Sequence, residues 1–535
     1  MADDKIGPMN KRLADLAPVF FFLVLLSIGF IMYKDYGIPW DESSQIGIGT
    51  ANYNYIFHGD PTLLSIPDRN YGALFELALL WTSDRLLIPK HLLVFLIFFI
   101  GSIAFFMLAR RLFKSQWWGL LATILLTASP RIFADSFYNS KDILFLAIAI
   151  ISMWTLVLLS DALRNGRSLA TTIMKVCLHS IASAIMISTR LAGTMIVPLS
   201  LLLLSLDSLR SAFPWRTKLA LLGGYLSLCA GLTILFWPVL WHGPWEAFII
   251  AFTQMSQFPW ERTVLYIGTF FNADKLPWHY LLVWIGISTP LIVLAGFIPG
   301  IMDWINIFVY TLHGKGGKKD GFLQALADAD WLLWTSVMLW LSIPIAAIYL
   351  FHSVLYDGWR QMFFVYPAIV LLSMLGLRSI YRWASRLLAN KKIVAICACL
   401  LLIAGVAEPV WFMIRYHPYE NVYFNVLAGN PSTLRSRFEL DYWGLSYKQA
   451  IDFILANDSR QQIKINAANT PGFDYINSGL PEAQKSRLIQ VKVPAEADYF
   501  ITEFRWHPEN YPYPDKFYSI RVRGTEIMAV YHLAP

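Results

Sequence analysis

The chain has 535 residues, of which 56% are hydrophobic and only 15% are charged, and its mean hydropathy is +0.50. A soluble domain usually carries about a quarter charged residues, so this composition excludes an ordinary soluble protein and favours a membrane protein. The formal net charge is +7, but the basic residues stand in small clusters between apolar runs, which is typical of membrane topology and not of a nucleic-acid-binding face.

The apolar runs predict a polytopic α-helical membrane protein with about 11 transmembrane helices, because a span needs roughly 20 mostly apolar residues. The first run is long and has no obvious cleavage site, so we interpret it as a retained anchor and not as a signal peptide. The predicted spans are 17–33, 91–109, 117–130, 142–160, 170–188, 191–207, 217–237, 279–300, 331–350, 361–378 and 392–414.

The charges between the spans predict that the N-terminus lies inside and the C-terminus outside. With this orientation every inner segment is basic, as the positive-inside rule requires. The basic residues of the inner segments are Lys5, Lys11, Arg12, Arg110, Arg111, Lys114, Arg164, Arg167, Arg210, Arg216, Lys218, Lys315, Lys318, Lys319, Arg378, Arg382, Arg386, Lys391 and Lys392.

Two outer segments are long, residues 34–90 and 238–278, and long loops in a compact protein are usually functional. Within them, 71–87 and 244–257 are amphipathic, which predicts helices lying in the membrane interface. We therefore assign residues 1–415 to one transmembrane domain that carries both loops.

After residue 415 the composition becomes that of a soluble domain. Strands are predicted at 463–468, 487–493, 498–504 and 517–533, the last a hairpin turning at 523–525. A helix is predicted at 446–458, capped by Ser446. Residues 416–535 are thus expected to form a small α/β domain on the outer face. The four cysteines all lie in apolar runs and indicate no disulfide framework.

An acidic pair, Asp41 and Glu42, stands at the mouth of the first span. Such a pair is either a solvated loop end or, near a low-dielectric boundary, a general base for a hydroxyl.

Other polar residues are expected on the same outer side. Residues 129–145 bring Arg131, Asn139, Lys141 and Asp142 there, and helix capping explains this cluster only in part.

A third group surrounds Arg360, with Tyr356 and Asp357 beside it. This Arg either snorkels to the interface or binds a phosphate with its planar fork. Tyr266, Trp278 and His279 are candidates for stacking on a sugar, or for interfacial anchors. Taken together, acids, cations and aromatic rings on one face suit a substrate with an apolar tail, a phosphate and a sugar.

The acidic pair, the segment "RIFADSFYNSKD" (131–142), "LPWHY" (276–280) and "YDGWRQMFFVYP" (356–367) resemble the GT-C superfamily of membrane glycosyltransferases. The nearest branch is the bacterial one similar to protein O-mannosyltransferases and to the lipid A aminoarabinose transferase. The resemblance implies an inverting transfer of a sugar from a polyprenyl-phosphate donor to an acceptor hydroxyl on the outer face. The acceptor is a glycolipid, a glycan or a protein, and the expected location is a bacterial inner membrane with a periplasmic active site.

The resemblance also implies roles for individual residues. Asp41 matches the catalytic base, Glu42 its acidic neighbour and Asp142 a second acid. Arg360 matches a ligand of the donor phosphate, and Lys141 and Arg131 assist it. Some members of the superfamily use a divalent cation such as Mg²⁺ or Mn²⁺, but the sequence has no dedicated set of metal ligands.

Two other functions stay open at this point. A transporter or flippase of lipid-linked sugars would need functional charges inside its spans, and here the spans are nearly free of charge apart from Lys175 and Glu408. A membrane-anchored sensor would use the outer domain to bind a ligand, and eleven spans are excessive for an anchor.

Overall fold

The protein is described by a computed structural model that covers residues 8–85, 89–256, 258, 260–312, 329–388 and 390–533. Within these ranges ten helices are long and apolar enough to cross a membrane, and one bent pair of helices raises the number to eleven. The prediction of a polytopic helical membrane protein is confirmed. The basic loop with Lys315, Lys318 and Lys319, and the end of the predicted interfacial helix, lie outside the described residues.

The helices follow one another along most of the chain. They are α1 (Pro8–Met32), α2 (Glu42–His58), α3 (Leu74–Arg85), α4 (Lys90–Phe113), α5 (Gln116–Thr127), α6 (Pro130–Tyr138), α7 (Asp142–Arg164), α8 (Leu169–Thr189), α9 (Ile196–Ser208), α10 (Trp215–Phe236), α11 (Pro244–Ser256), α12 (Tyr280–Ser288), α13 (Leu291–Leu312), α14 (Ala329–Phe351), α15 (Tyr366–Leu387), α16 (Lys391–Tyr416) and α17 (Tyr447–Asn457).

Two predicted spans are broken in the structure, each at a proline. The span predicted at 117–130 is α5 followed by α6, with a bend of 70° between them. Pro130 begins α6, where its missing N–H costs no helical hydrogen bond. The span predicted at 279–300 divides into α12 and α13 at Pro290, and Thr289 before it is extended, as the ring of a following proline favours.

The two amphipathic segments that were predicted to be helical form α3 and α11. Two further elements were not predicted: α2 begins directly after Asp41, and a hairpin joins β1 (Thr263–Tyr266) to β2 (Thr269–Asn272). The sequence of α2 shows little apolar periodicity, because its buried face carries Gln45 and Asn52 beside Ile48 and Gly49.

The C-terminal region contains a mixed five-stranded sheet. Its strands are β3 (Ile463–Ala467), β4 (Leu488–Gln490), β5 (Tyr499–Thr502), β6 (Lys516–Val522) and β7 (Thr525–His532), in the order β4-β3-β5-β7-β6. Strand β3 is parallel to β4 and β5, whereas β7 is antiparallel to β5 and β6. The hairpin turns at Arg523 and Gly524, whose φ values of 47° and 85° fit a tight two-residue turn.

Helix α17 buries Ala450, Ile451 and Ile454. The predicted cap by Ser446 is not formed, because the Ser446 hydroxyl donates to Asp441 Oδ2 at 2.5 Å.

Candidate active site

A cavity of about 220 Å³ lies between the loops that follow α1, α2 and α6 and the first turn of α2. The loop before β1, residues 356–360 and residues 505–506 after β5 complete its lining. Four basic and three acidic side chains line it, together with aromatic rings. The lining residues are Trp40, Asp41, Ser44, Gln45, Asp68, Tyr71, Lys141, Phe258, Trp260, Arg262, Tyr356, Asp357, Arg360, Arg505 and Trp506.

Asp41 lies between two cations in this cavity. Its Oδ2 is 2.9 Å from Lys141 Nζ and 3.5 Å from Arg360 Nη2. Burial alone would raise the pKa of Asp41, but the charges of Lys141 and Arg360 outweigh burial and hold this pKa well below its usual range. Asp41 is therefore ionised at any ordinary pH and fixes both cations at the cavity wall.

Arg360 is buried among three carboxylates. The first is Asp41, described above. Arg360 Nη1 also donates to Asp142 Oδ2 at 2.9 Å, and Arg360 Nη2 donates to Asp357 Oδ2 at 3.1 Å. Such pairing is required, since an unpaired buried charge would cost several kcal/mol, of order 3–5. Asp142 in turn pairs with Arg190 at 2.5 Å, and Asn139 donates to Asp142 at 2.9 Å. Asp142 and Asn139 thus form a support behind the cavity.

Aromatic rings form two walls of the cavity. Tyr356 and Trp260 stack with ring centres 4.4 Å apart and planes 6° from parallel. Trp40 and Trp506 meet edge to face at 5.7 Å, and the Arg505 guanidinium lies over both of these rings. Flat aromatic faces beside hydrogen-bonding charges are suited to a sugar ring, which has apolar C–H faces and polar edges.

Five of the predicted site residues line the cavity: Asp41, Lys141, Tyr356, Asp357 and Arg360. These five residues come from three separate stretches of the chain. Two further predicted site residues, Asn139 and Asp142, support them from behind the cavity.

The structure puts other predicted site residues elsewhere. Glu42 turns away from the cavity and pairs with His91 at 3.4 Å. Arg131 is buried, donates to the Tyr423 carbonyl at 2.9 Å and lies over the rings of Trp284 and Phe424.

Tyr266, Trp278 and His279 form a separate group next to the β1-β2 hairpin. The Tyr266 hydroxyl and His279 Nδ1 are 2.6 Å apart, and Trp278 is 72% exposed. None of these three side chains lines the cavity.

Sequence reasoning missed several of the lining residues. These are Trp40, Ser44, Gln45, Asp68, Tyr71, Phe258, Trp260, Arg262, Arg505 and Trp506. One signal was present: "PWER" (259–262) and "FRWHP" (504–508) each pair an arginine with a tryptophan. Asp68 carries no such signal, because a single acid in a loop is usually solvated.

The carboxylates at the site do not form a metal centre. Within the described ranges, no group of three or more His, Cys, Asp or Glu side chains could hold a metal ion. Asp41, Asp142 and Asp357 are each paired with lysine or arginine, and the positive charges of these partners repel a divalent cation. The residues present therefore do not fit a dedicated Mg²⁺ or Mn²⁺ site.

No protein-family model matches the sequence, and no curated protein matches it. Among solved structures, ArnT from Cupriavidus metallidurans bound to undecaprenyl phosphate is 14% identical, with a TM-score of 0.46 over 96% of this chain and 98% of ArnT. The apo oligosaccharyltransferase of Archaeoglobus fulgidus is 12% identical, with a TM-score of 0.46 over 90% of this chain.

The chain spans slightly less than two thirds, 65%, of that archaeal enzyme. A second structure, of A. fulgidus AglB in complex with an inhibitory peptide and a dolichol-phosphate, is 11% identical, with a TM-score of 0.45 over 91% of this chain. These three matches cover 90–96% of this chain, and the ligands named here belong to those proteins.

Proposed function

We propose that this protein is a glycosyltransferase that moves a sugar from a polyprenyl-phosphate donor to an acceptor hydroxyl. The observation that carries this proposal is the cavity in which Lys141 and Arg360 stand together at the end of membrane helices, beside two aromatic walls. In one cavity, the cations can bind a phosphate, the carboxylates can accept a proton from an acceptor hydroxyl, and the aromatic rings can pack against a sugar.

The donor phosphate binds Lys141 and Arg360, which attract its charge and stabilise the polyprenyl phosphate as it leaves. Lys141 is the more available of the two, because its side chain is 13% exposed, whereas that of Arg360 is 2% exposed and already contacts three carboxylates. The polyprenyl tail extends into the bilayer beside the spans. The sugar lies against the stacked rings of Tyr356 and Trp260.

The reaction is a single displacement. The acceptor oxygen bonds to the anomeric carbon, the bond from that carbon to the phosphate oxygen breaks, and the electron pair leaves with the phosphate. The acceptor hydroxyl proton goes to a carboxylate that lines the cavity, Asp41 or Asp68. Such general-base help is worth roughly 10²–10⁴-fold in rate. Attack opposite to the leaving group inverts the anomeric centre.

The basic clusters between the spans support an orientation in which the cavity opens on the outer side of the membrane. For a bacterial protein this is the periplasmic face of the inner membrane. The acceptor is a glycolipid, a glycan or a protein hydroxyl. In this orientation the region from residue 416 onwards lies on the outer side, and it contributes Arg505 and Trp506 to the cavity wall.

The proposal is tested with the purified full-length protein in lipid nanodiscs and a panel of undecaprenyl-phosphate-linked sugars. Released undecaprenyl phosphate is measured by mass spectrometry for the wild type, Lys141→Gln and the control Lys275→Gln. Lys275 is exposed in the turn after β2 and lies outside the cavity. We expect one donor to be consumed by the wild type and by the control, and a loss of turnover in Lys141→Gln.

Two results would contradict the proposal. The first is equal turnover in both variants, and the second is the absence of turnover with every donor in the presence of added membrane glycolipid extract. Movement of an intact donor across liposomes without cleavage would instead favour a flippase.

A further inference from the structure

A second carboxylate, Asp68, lines the same cavity as Asp41 and Lys141. Asp68 is half-buried, in the loop between α2 and α3. Over the ranges that the structure describes, its carboxylate forms no hydrogen bond and no ion pair. Both of its oxygens are therefore free to accept a proton from a bound molecule.

Asp41 is in the opposite situation. Lys141 at 2.9 Å and Arg360 at 3.5 Å both contact its Oδ2. A carboxylate that is held by two cations has little tendency to accept a proton. Its contacts fit another task, which is to hold the two cations where the donor phosphate arrives.

The loop that carries Asp68 is firmly anchored. The Asn70 side-chain amide donates to Gln254 Oε1 at 2.7 Å, and the Tyr71 N–H donates to the Asp68 carbonyl at 3.1 Å. Gly72 lies so close to the end of α8 that a Cβ there would be 1.9 Å from the Ser188 carbonyl oxygen. Asp68 is thus held in one position, as a general base needs to be.

The same loop also touches the phosphate-binding side of the cavity. Lys141 Nζ lies 4.8 Å from the centre of the Tyr71 ring, so Asp68 and Lys141 belong to adjacent parts of one wall. Burial raises the pKa of Asp68; the Lys141 charge opposes this rise and the Asp41 charge adds to it. A raised pKa brings a carboxylate closer to the operating pH, where general bases are most efficient.

We propose that Asp68 is the general base of the transfer and that Asp41 positions Lys141 and Arg360 for the donor phosphate. This assignment rests on the proposed glycosyltransferase function. The acceptor O–H bond breaks and its proton goes to the Asp68 carboxylate, while the acceptor oxygen bonds to the anomeric carbon. Undecaprenyl phosphate leaves with the electron pair, and Asp68 then returns its proton to water.

The assignment is tested by separating donor binding from turnover. The dissociation constant of undecaprenyl phosphate and the turnover of the preferred undecaprenyl-phosphate sugar are measured from about pH 4 to about pH 8, a range that begins near the ordinary pKa of a carboxylate. The variants are Asp68→Asn, Asp68→Glu and Asp41→Asn. Asp274→Asn is the matched control, because Asp274 is exposed and lies outside the cavity.

We expect Asp68→Asn to bind undecaprenyl phosphate within about threefold of the wild type and to lose turnover by roughly 10²–10⁴-fold. Asp68→Glu should recover part of that turnover. Its turnover should fall at low pH as the new carboxylate is protonated, at a pH different from that of the wild type, and this fall (the acid limb) should be absent in Asp68→Asn. If Asp68 had only a structural role, the pH of the acid limb would be the same in Asp68→Glu and in the wild type. Asp41→Asn should raise the dissociation constant of undecaprenyl phosphate, because Lys141 and Arg360 are then no longer held where the phosphate arrives.

Turnover within about threefold of the wild type in Asp68→Asn would overturn the assignment, since loss of a general base costs far more. Loss of turnover in Asp41→Asn with an unchanged dissociation constant of undecaprenyl phosphate would indicate that Asp41 is the general base instead. If Asp68→Asn does not fold, the pH profile of Asp68→Glu decides, and an unshifted acid limb counts against Asp68. Failure of the wild type to consume any donor would instead reject the glycosyltransferase function itself, and this inference with it.

Discussion

Arg505 donates a hydrogen bond to Asp357, with Arg505 Nη2 and Asp357 Oδ1 2.5 Å apart. The two residues are 148 positions apart in the chain, and both line the cavity. The other oxygen of Asp357 accepts from Arg360. One carboxylate therefore joins the C-terminal region to the arginine that we propose to bind the donor phosphate.

This contact predicts that the C-terminal region takes part in catalysis. We expect Arg505→Gln to lower kcat/KM by on the order of tenfold to a hundredfold, because small displacements of positioned groups have effects of that size. The measurement is release of undecaprenyl phosphate by the full-length protein. Arg521→Gln is the control, since the Arg521 side chain is 59% exposed. Equal activity of both variants would show that Arg505 is dispensable.

The close contact of Gly72 with α8 gives a prediction about stability. In Gly72→Ala the new Cβ would lie 1.9 Å from a backbone oxygen, so the anchored loop has to shift, at a cost of about 1–3 kcal/mol in the free energy of unfolding. Gly47→Ala in α2 is the matched control, because no atom beyond its chain neighbours and the backbone of its own helix lies within 4 Å of its Cβ position. Alanine is also favoured over glycine inside a helix by about 0.5–1 kcal/mol. Thermal unfolding in detergent should therefore move in opposite directions in the two variants.

The stack of Trp260 on Tyr356 predicts where the donor sugar binds. We expect Trp260→Leu to raise KM for the sugar-bearing donor and to leave the affinity for undecaprenyl phosphate unchanged, because the ring contacts the sugar and not the phosphate. Trp278→Leu, at an exposed site outside the cavity, should change KM by less than about twofold, as isolated exposed aromatic residues contribute little. A larger rise of KM in Trp278→Leu than in Trp260→Leu would indicate that the sugar binds at the group formed by Tyr266, Trp278 and His279.

His417 gives a prediction about pH and stability. Its Nδ1 is 2.7 Å from Glu420 and its Nε2 is 2.9 Å from Asp35, so it connects the ends of α16 and α1. Burial opposes protonation, but the hydrogen bonds and charges of Glu420 and Asp35 outweigh it and raise the pKa of His417 above 6.5.

The folded protein therefore binds the His417 proton more tightly than the unfolded chain does. This stabilisation is fully present below pH 6.5 and is lost as the pH rises through the raised pKa. As the pH rises from 6.5 through the raised pKa of His417, we expect the melting temperature of the wild type to fall. The melting temperature of His417→Gln should fall less. Parallel pH curves for the two proteins would rule this contribution out.

Much of the architecture was already determined by the sequence. Membrane spans depend on local hydropathy, and a helix satisfies its own backbone in the bilayer, so ten or eleven spans could be predicted from composition alone. The residues around Asp41, Lys141 and Arg360 could be proposed because charges at the ends of apolar runs are conspicuous. Strands β6 and β7 and their turn could be predicted because a hairpin is also a local structure.

Only the tertiary structure decided which of these groups share a cavity. It brought Asp68, Trp260 and Arg505 to the same cavity, although the sequence separates them by roughly two hundred residues or more. It also bent the third predicted span at Pro130 and put Arg131 on the carbonyl of Tyr423, away from the cavity. Ion pairing and burial depend on which distant side chains meet in the folded chain, and no local pattern of residues encodes that.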